Sequence, residues 1–409
     1  MTENRLSDFP EGRFSYYFAL MNNLEEKYCL CALNRIFGFE PKIARALISH
    51  FGSASAIFSL PPKELDSLLG PWSKYKGRIC AKALDDAAEE TESLSRRGIS
   101  FIGCTEAGYP EMLLECPDAP TGLYVRSITP VEDVFSARNA IGIVGTRDIS
   151  AYGTEWCSRI VQGLSRTQEK PAIISGLALG TDICAHRKAL ECGMGTIAVM
   201  ATGPDSVYPY RHNRIAEQMA GTEGCALITD YPPGTAPLAI HFLRRNRIIA
   251  GLSNAVILIE SRIKGGGMMT SRLAFSYNRD VYALPGRLDD VRSQGCNLLI
   301  KDKTAEAIDT VEGLIESLGY RAGKSRPKTT ALSLVQDAFG SKAGAALVSE
   351  LTGMLSTISG NRGISLDDLA ALSGKDYSRT CQLAGMLEME DLISIDLLQR
   401  CSTTTRISR

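Results

Sequence analysis

The sequence has little of what a metal site needs. It holds four histidines and two tryptophans among 409 residues, and its twelve cysteines include no CxxC pair. With only His50, His186, His212 and His241 to add, no clustered zinc site and no cofactor is expected. The cysteines read instead as small apolar core residues in a reducing compartment. Long apolar runs are also missing. Stretches such as Ala255 to Ile259 fall far short of the ~20 residues a membrane helix requires, so no membrane contact is expected. Met1 to Gly12 is polar and carries both charge signs, with no apolar stretch before a small-residue cleavage site, so the expected location is cytoplasmic. Nor is one sign of charge in excess: 45 Lys+Arg stand against 46 Asp+Glu. That excludes a chain that is basic throughout, but not a basic surface confined to one domain.

Domains of roughly 100–200 residues divide a chain of this length into two to four. Apolar residues recur at helical spacing from Leu24 to Phe37 and from Pro41 to Phe51, around the turn Gly38-Phe39-Glu40-Pro41-Lys42. Residues 319–330 contain four basic residues and no aliphatic side chain larger than alanine, the composition of a linker. Between 136 and 304, short β-rich runs end in Gly/Pro loops and lead into helical stretches. Strands are expected at Ile141–Val144, Ala172–Ile174, Thr196–Met200, Ala226–Ile228, Ala255–Ile259 and Val281–Leu284. Their nearly continuous apolar character indicates burial on both faces, as in a parallel sheet covered by helices. The expected fold is therefore α/β, a doubly wound, mostly parallel sheet.

Ligands of such sheets bind beyond the carboxyl ends of the strands. Those ends carry Gly145-Thr146-Arg147, Ser175-Gly176 through Gly180 to Asp182, Thr202-Gly203, Lys264-Gly265-Gly266-Gly267 and Pro285-Gly286-Arg287. Glycines admit close backbone approach, and N–H groups at helix starts attract anions, so a phosphate-bearing ligand is the first to consider. Neither GxGxxG nor GxxxxGK[ST] is present, which counts against a dinucleotide or a P-loop nucleotide. Residues 136–304 hold 20 Lys+Arg and 14 Asp+Glu, a net of +6; the remainder holds 25 and 32, a net of −7. Arginines grouped near strand ends suit a repeating polyanion, one guanidinium per phosphate. The candidates are Arg147, Arg211, Arg244, Arg245, Arg247 and Lys264, joined by Asn246 and by Phe242 as a stacking surface for bases. Tyr208 and Tyr210 add aromatics between basic groups. Two readings stay open for several of these: Phe242 is either a stacking platform or core, the arginines of 244–247 either hold phosphate or pair with Asp230 and Glu260, and Asp182 is either a helix N-cap or a ligand contact.

Support for catalysis is thin, because the rim carboxylates Asp182, Asp205 and Glu260 lie on different loops without nucleophile or base at a recognisable spacing. A helix-capping Asp182 interacting with His186 accounts for that pair without chemistry. The rival to a DNA-binding protein is a Rossmann-like enzyme or sensor of a small phosphate-bearing ligand, with Lys264 to Gly267 as cradle and Glu260 as its carboxylate. A third reading, a duplex-reading regulator, would use Lys375 and Arg379 of the C-terminal segment.

The run Ile141-Gly-Ile-Val-Gly-Thr-Arg147, then Ile174-Ser-Gly-Leu-Ala-Leu-Gly-Thr-Asp182 with His186, resembles the bacterial DNA-processing protein A family, DprA or Smf. Tyr231-Pro-Pro-Gly-Thr235, His241-Phe242 to Arg245-Asn-Arg-Ile-Ile-Ala-Gly-Leu-Ser253, Val281-Tyr-Ala-Leu-Pro-Gly286 and Gly295-Cys-Asn-Leu-Leu-Ile300 follow in family order. The resemblance implies a Rossmann-like protein that binds single-stranded DNA without turnover, forms a homodimer, protects incoming DNA and helps load the RecA recombinase in natural transformation. It also implies that Arg147 meets the strand. Leu179 stands where many relatives carry a basic residue, and Gly267 where a serine is common. On this basis the chain divides into a tail (1–20), a helical SAM or helix-hairpin-helix-like module (21–75), a connecting segment (76–135), the Rossmann-like domain (136–318), the linker (319–330) and a winged-helix-like unit (331–409).

Overall fold

The computed structural model describes residues 26–70, 73–136, 139–321, 330–340, 343–361, 363–396 and 398–404. The expected tail 1–20 and residues 322–329 of the expected linker lie outside the described residues. Five helices come first: α1 (residues 26–37), α2 (Pro41–Phe51), α3 (Ala54–Phe58), α4 (Pro62–Leu69) and α5 (Ala81–Ser95). Helix α2 starts on Pro41, whose missing N–H would have had no partner there, and stops at Gly52 in the left-handed conformation, whose N–H returns to the Ile48 carbonyl. The Glu26 carboxylate accepts the N–H groups of Ala54 and Ser55, each at 2.8 Å, so the start of α1 caps the start of α3.

The sheet domain runs β1 (Ile99–Gly103), α6 (Glu111–Leu114), β2 (Gly122–Arg126), α7 (Val131–Val134), β3 (Ala140–Val144), α8 (Ala151–Leu164), β4 (Ala172–Ser175), α9 (Thr181–Glu191), β5 (Thr196–Val199), α10 (Asn213–Ala220), β6 (Ala226–Thr229), α11 (Ala239–Leu252), β7 (Ala255–Leu258), α12 (Gly266–Ser276), β8 (Asp280–Ala283), α13 (Gln294–Lys301), β9 (Glu306–Ala307) and α14 (Val311–Ser317). The strand order is β1-β2-β6-β5-β4-β3-β7-β8-β9, parallel from β6 to β9, with β2 antiparallel to β6 and β1 antiparallel to β2. All six expected strands are present. The sheet begins earlier than residue 136, however, because the segment expected only to connect supplies β1 and β2. Gly122 makes that pairing possible: a Cβ there would lie 2.0 Å from the Phe101 ring that crosses it.

Strand β3 divides the sheet's faces as a period of two requires. Ile141 and Ile143 pack with Ile160, Val161 and Leu164 of α8, whereas Val144 packs on the other side with Ile248 and Leu252 of α11. Burying each such side chain contributes about 1.5–3 kcal/mol. From β3 the chain winds outward through β4, β5 and β6, then crosses back to β7 on the other side of β3. The carboxyl ends of β3 and β7 therefore flank the topological switch point, where an open α/β sheet offers its crevice.

The chain divides into two compact units, Met1–Ala322 and Gly323–Arg409. The second contains α15 (Ala331–Phe339), α16 (Ala345–Gly360), β10 (Ile364–Ser365), α17 (Leu366–Ser373), α18 (Tyr377–Met389), β11 (Ile393–Ile395) and β12 (Arg400–Thr403), with β12 central in an antiparallel three-stranded sheet. Val335, Leu351, Leu355, Ile358, Leu369, Leu383 and Leu387 form its own core.

Candidate nucleic-acid interface

At the switch point the first βα turn is filled by the protein itself. Thr146 donates its N–H to the Glu260 carbonyl at 2.7 Å, tying the end of β3 to the end of β7. The Glu260 carboxylate, almost fully buried, accepts the Ser150 N–H at 2.9 Å and the Ser150 hydroxyl at 2.5 Å, and a Cβ on Gly153 would lie 2.6 Å from its Oε2. An internal carboxylate thus sits at the N-terminus of α8, where an anionic ligand would otherwise bind. This corrects the rival reading of Glu260 as a reactive carboxylate: both oxygens clamp a helix start.

The loop from β4 to α9 is held from beneath. Ser175 donates its hydroxyl to the Ile143 carbonyl at 2.6 Å, and the Asp182 carboxylate accepts the N–H groups of Gly176 and Ala178 at 3.2 and 3.3 Å. Gly180, not Asp182, occupies the N-cap position, at φ 75°. Nor does Asp182 meet His186. The Thr196 hydroxyl donates to the Ile173 carbonyl at 2.8 Å, so it must accept from His186 Nδ1 at 2.8 Å. The bare Nε2 is left buried without a partner. Burial, with the Arg245 and His212 charges beside it, pushes His186 down to about 3. The Arg245 guanidinium lies under Gly176, where a Cβ would be 1.5 Å from Nη1, and donates to the Val199 carbonyl at 2.8 Å. Burial lowers Arg245 to about 10, opposed by the Asp182 charge, and burial raises Asp182, opposed by Arg245. Ser175, Gly176, Asp182 and Arg245 therefore shape the loop rather than face a ligand.

The other α11 arginines are corrected in the same way. Arg244 donates to the carbonyls of Phe39 at 2.7 Å and Gly38 at 2.6 Å and stacks over the Phe39 ring at 4.4 Å, fastening the α1–α2 turn to the sheet domain. Arg247 pairs with Asp230 at 2.5 Å and donates to the Asp118 carbonyl, while Asn246 is buried. A helix turns 100° per residue, so neighbours at 244, 245 and 247 leave in three directions. Gly203 is packing too, since a Cβ would lie 2.5 Å from the Pro232 carbonyl oxygen. Gly265 is the N-cap of α12, and Gly267 lets that helix approach Gly145, 3.2 Å from the place of a Cβ. Gly266 has open space around it, and Arg262 and Lys264 project into solvent.

Besides Arg262 and Lys264, the described residues leave exposed a cluster on the β3/β4 side of the rim. The Arg147 guanidinium lies 4.9 Å from the Phe242 ring centre, and Phe242 meets Tyr208 edge-on at 5.5 Å. Tyr208 is 48% exposed and Tyr210 82%. Beside them opens a pocket of about 350 Å³ lined by Arg147, Asp148, Ile149, Leu179, Gly180, Ile183, Arg187, Arg211 and His212. Arg147, Arg187 and Arg211 are exposed and make no ion pair among the described residues. Arg187 escaped the sequence reading because it lies inside a helix rather than on a glycine loop. Its signal was the i, i+3, i+7 spacing of Gly180, Ile183 and Arg187, which brings all three to one face of α9. Aromatic faces beside unpaired guanidiniums match what a single strand offers, bases to stack and phosphates to neutralise. Among the described residues no group of three or more His, Cys, Asp and Glu side chains could hold a metal ion, and no helix is long and apolar enough to cross a membrane.

A family model described as DNA recombination-mediator protein A matches residues 100–319. Protein Smf of Synechocystis is 33% identical over 300 residues, 73% of this chain and 74% of that protein. DNA processing protein DprA of Streptococcus pneumoniae is 37% identical over 194 residues, 47% of this chain and 66% of that protein. A crystal structure of DNA processing protein A from the same organism superposes with a TM-score of 0.56 at 27% identity, covering 72% of this chain and 97% of that one.

Proposed function

The chain belongs to the DNA recombination-mediator protein A family, and we propose from that premise that it binds single-stranded DNA along the Arg147–Phe242–Tyr208 rim and helps load the RecA recombinase onto the strand. The family is one of DNA-binding proteins of recombination, and the rim supplies chemistry for such a ligand. The observation that carries the reading is the Arg147 guanidinium lying over Phe242 beside the exposed Tyr208. Bases stack on the rings with little regard to sequence, and the arginines neutralise phosphates.

Protection of incoming DNA during transformation, a homodimer and action in the cytoplasm complete the proposal on the strength of the family resemblance. For Gly323–Arg409 we read a winged helix, on the order helix, helix, strand, two helices and two strands. Lys375 and Arg379 both pair with Glu350, at 2.7 and 2.5 Å, which favours protein docking over duplex reading for this unit. Gel-shift titration of a single-stranded oligonucleotide tests the central claim. Arg147→Ala should weaken binding about tenfold, the order of one charge-assisted contact plus a stacked guanidinium. Equal affinity of variant and wild type, or no binding by the wild type at low salt, would overturn it.

A further inference from the structure

We propose that the pocket between Arg147, Arg187 and Arg211 seats a terminal phosphomonoester of the DNA strand, so that the protein prefers strands with a phosphorylated end. This rests on the reading of the rim as a single-strand site and adds a specificity to it. A backbone tracked through a groove is met by cations spread along its length, one per phosphate. Here three guanidiniums line one open depression of about 350 Å³, large enough for a terminal nucleotide with its phosphate, so they are grouped at one place rather than spread along a track. Charge points the same way. The cavity's lining carries three arginines and one carboxylate, Asp148, a net of +2. An internal phosphodiester brings one negative charge, whereas a phosphomonoester approaches two at neutral pH and offers three oxygens to forked donors.

The floor of the pocket is rigid. Gly180 adopts φ 75°, and a Cβ there would lie 2.3 Å from the Thr146 carbonyl oxygen, so the start of α9 is pressed against the turn that carries Arg147. Thr181 reinforces this by donating its N–H to the same carbonyl at 3.1 Å. Arg147 and Arg187 thus stand on two elements locked together, Arg211 stands on the turn Tyr210–His212, whose His212 Nδ1 lies 2.8 Å from the Leu177 carbonyl, and Arg147 belongs both to the pocket and to the aromatic platform. A strand whose end sits among the arginines has its first base beside Phe242. Leu179, in the lining, leaves the cavity's cations to the other elements.

The experiment is a competition measured by fluorescence anisotropy on the full chain. A labelled oligothymidylate is displaced by unlabelled strands of the same length bearing a 5′-phosphate, a 3′-phosphate or hydroxyls at both ends, and by thymidine monophosphate alone. One phosphorylated end should compete about tenfold better than the hydroxyl strand, and which end does so identifies the polarity. Arg187→Ala and Arg211→Ala should weaken the phosphorylated strand more than the hydroxyl strand and so remove that advantage, and Arg187→Lys should restore part of it. Equal competition by all three strands would end the proposal yet leave the rim as a single-strand site. An advantage that survives both substitutions, or thymidine monophosphate competing as well as the phosphorylated strand, would likewise overturn it. Failure of every strand to bind would remove the single-strand reading as well.

Discussion

At the scale of single residues, buried titratable groups set how the sheet domain responds to acid. His186 donates from Nδ1 to Thr196 and has no partner at Nε2, so a proton there would be buried without a counter-charge. Its folded value of about 3 lies below the 6.5 of a free histidine. The unfolded chain therefore binds the proton more readily, and stability present above pH 6.5 is lost as pH falls through the window from 6.5 towards 3. By pH 5 the loss comes to about 2 kcal/mol. His186→Asn keeps a donor for Thr196 and abolishes the titration. Urea unfolding at pH 7 and pH 5 should show a smaller drop for the variant than for wild type, and equal drops would rule the assignment out. The sequence marked His186 and Asp182 as neighbours on a helix face. It could not show that Thr196, ten residues on, would take the imidazole, because that contact depends on how α9 rests against the sheet.

At the scale of elements, the glycine-rich loops are supported by charged side chains from other strands and helices. Glu260, arriving at the end of β7, organises the start of α8 through Ser150. Glu260→Ala leaves the Ser150 N–H without its acceptor and removes the carboxylate from the helix start, at a cost of about 1–3 kcal/mol. Denaturant unfolding of this variant should report that loss, and an unchanged midpoint would show that the clamp contributes nothing. The six buried parallel strands were legible because β-branched and aliphatic runs bounded by glycine have few other uses. β1 and β2 were not, since Ile99–Gly103 and Gly122–Arg126 precede the repeating strand–helix pattern and pair antiparallel. The segment from His241 to Arg247 looked like one basic surface. As a helix it sends Arg244 to the α1–α2 turn, Arg245 under Gly176 and Arg247 to Asp230, which leaves Phe242 alone on the rim.

At the scale of the whole molecule, near-neutral net charge coexists with a local electrostatic site. The affinity for a single strand should fall with salt at about 0.7 in log–log slope for each phosphate neutralised, so an end phosphate met jointly by Arg147, Arg187 and Arg211 should steepen the slope by about 0.7 over that of a hydroxyl-ended strand. Removing residues 331–409 should leave that slope unchanged, since Lys375 and Arg379 of the second unit are already paired with Glu350. Binding isotherms at several salt concentrations check both statements. A slope near zero would exclude phosphate contacts as the source of affinity, and a slope that weakens on truncation would assign phosphate contacts to the second unit.

By itself the sequence determined the α/β class, the strands of the central sheet, the glycine-rich rim and the basic excess of residues 136–304. These follow from local composition and from periodicity, which act over a few residues. Only the tertiary structure decided which arginines are free. Arg244 meets its carbonyl acceptors 205 and 206 residues away, and Arg247 meets the Asp118 carbonyl across 129. A guanidinium becomes available to DNA only when no closer carboxylate or carbonyl claims it. That competition is resolved by packing between distant segments, which is why Arg187 emerged at the site and Arg244, Arg245 and Arg247 left it.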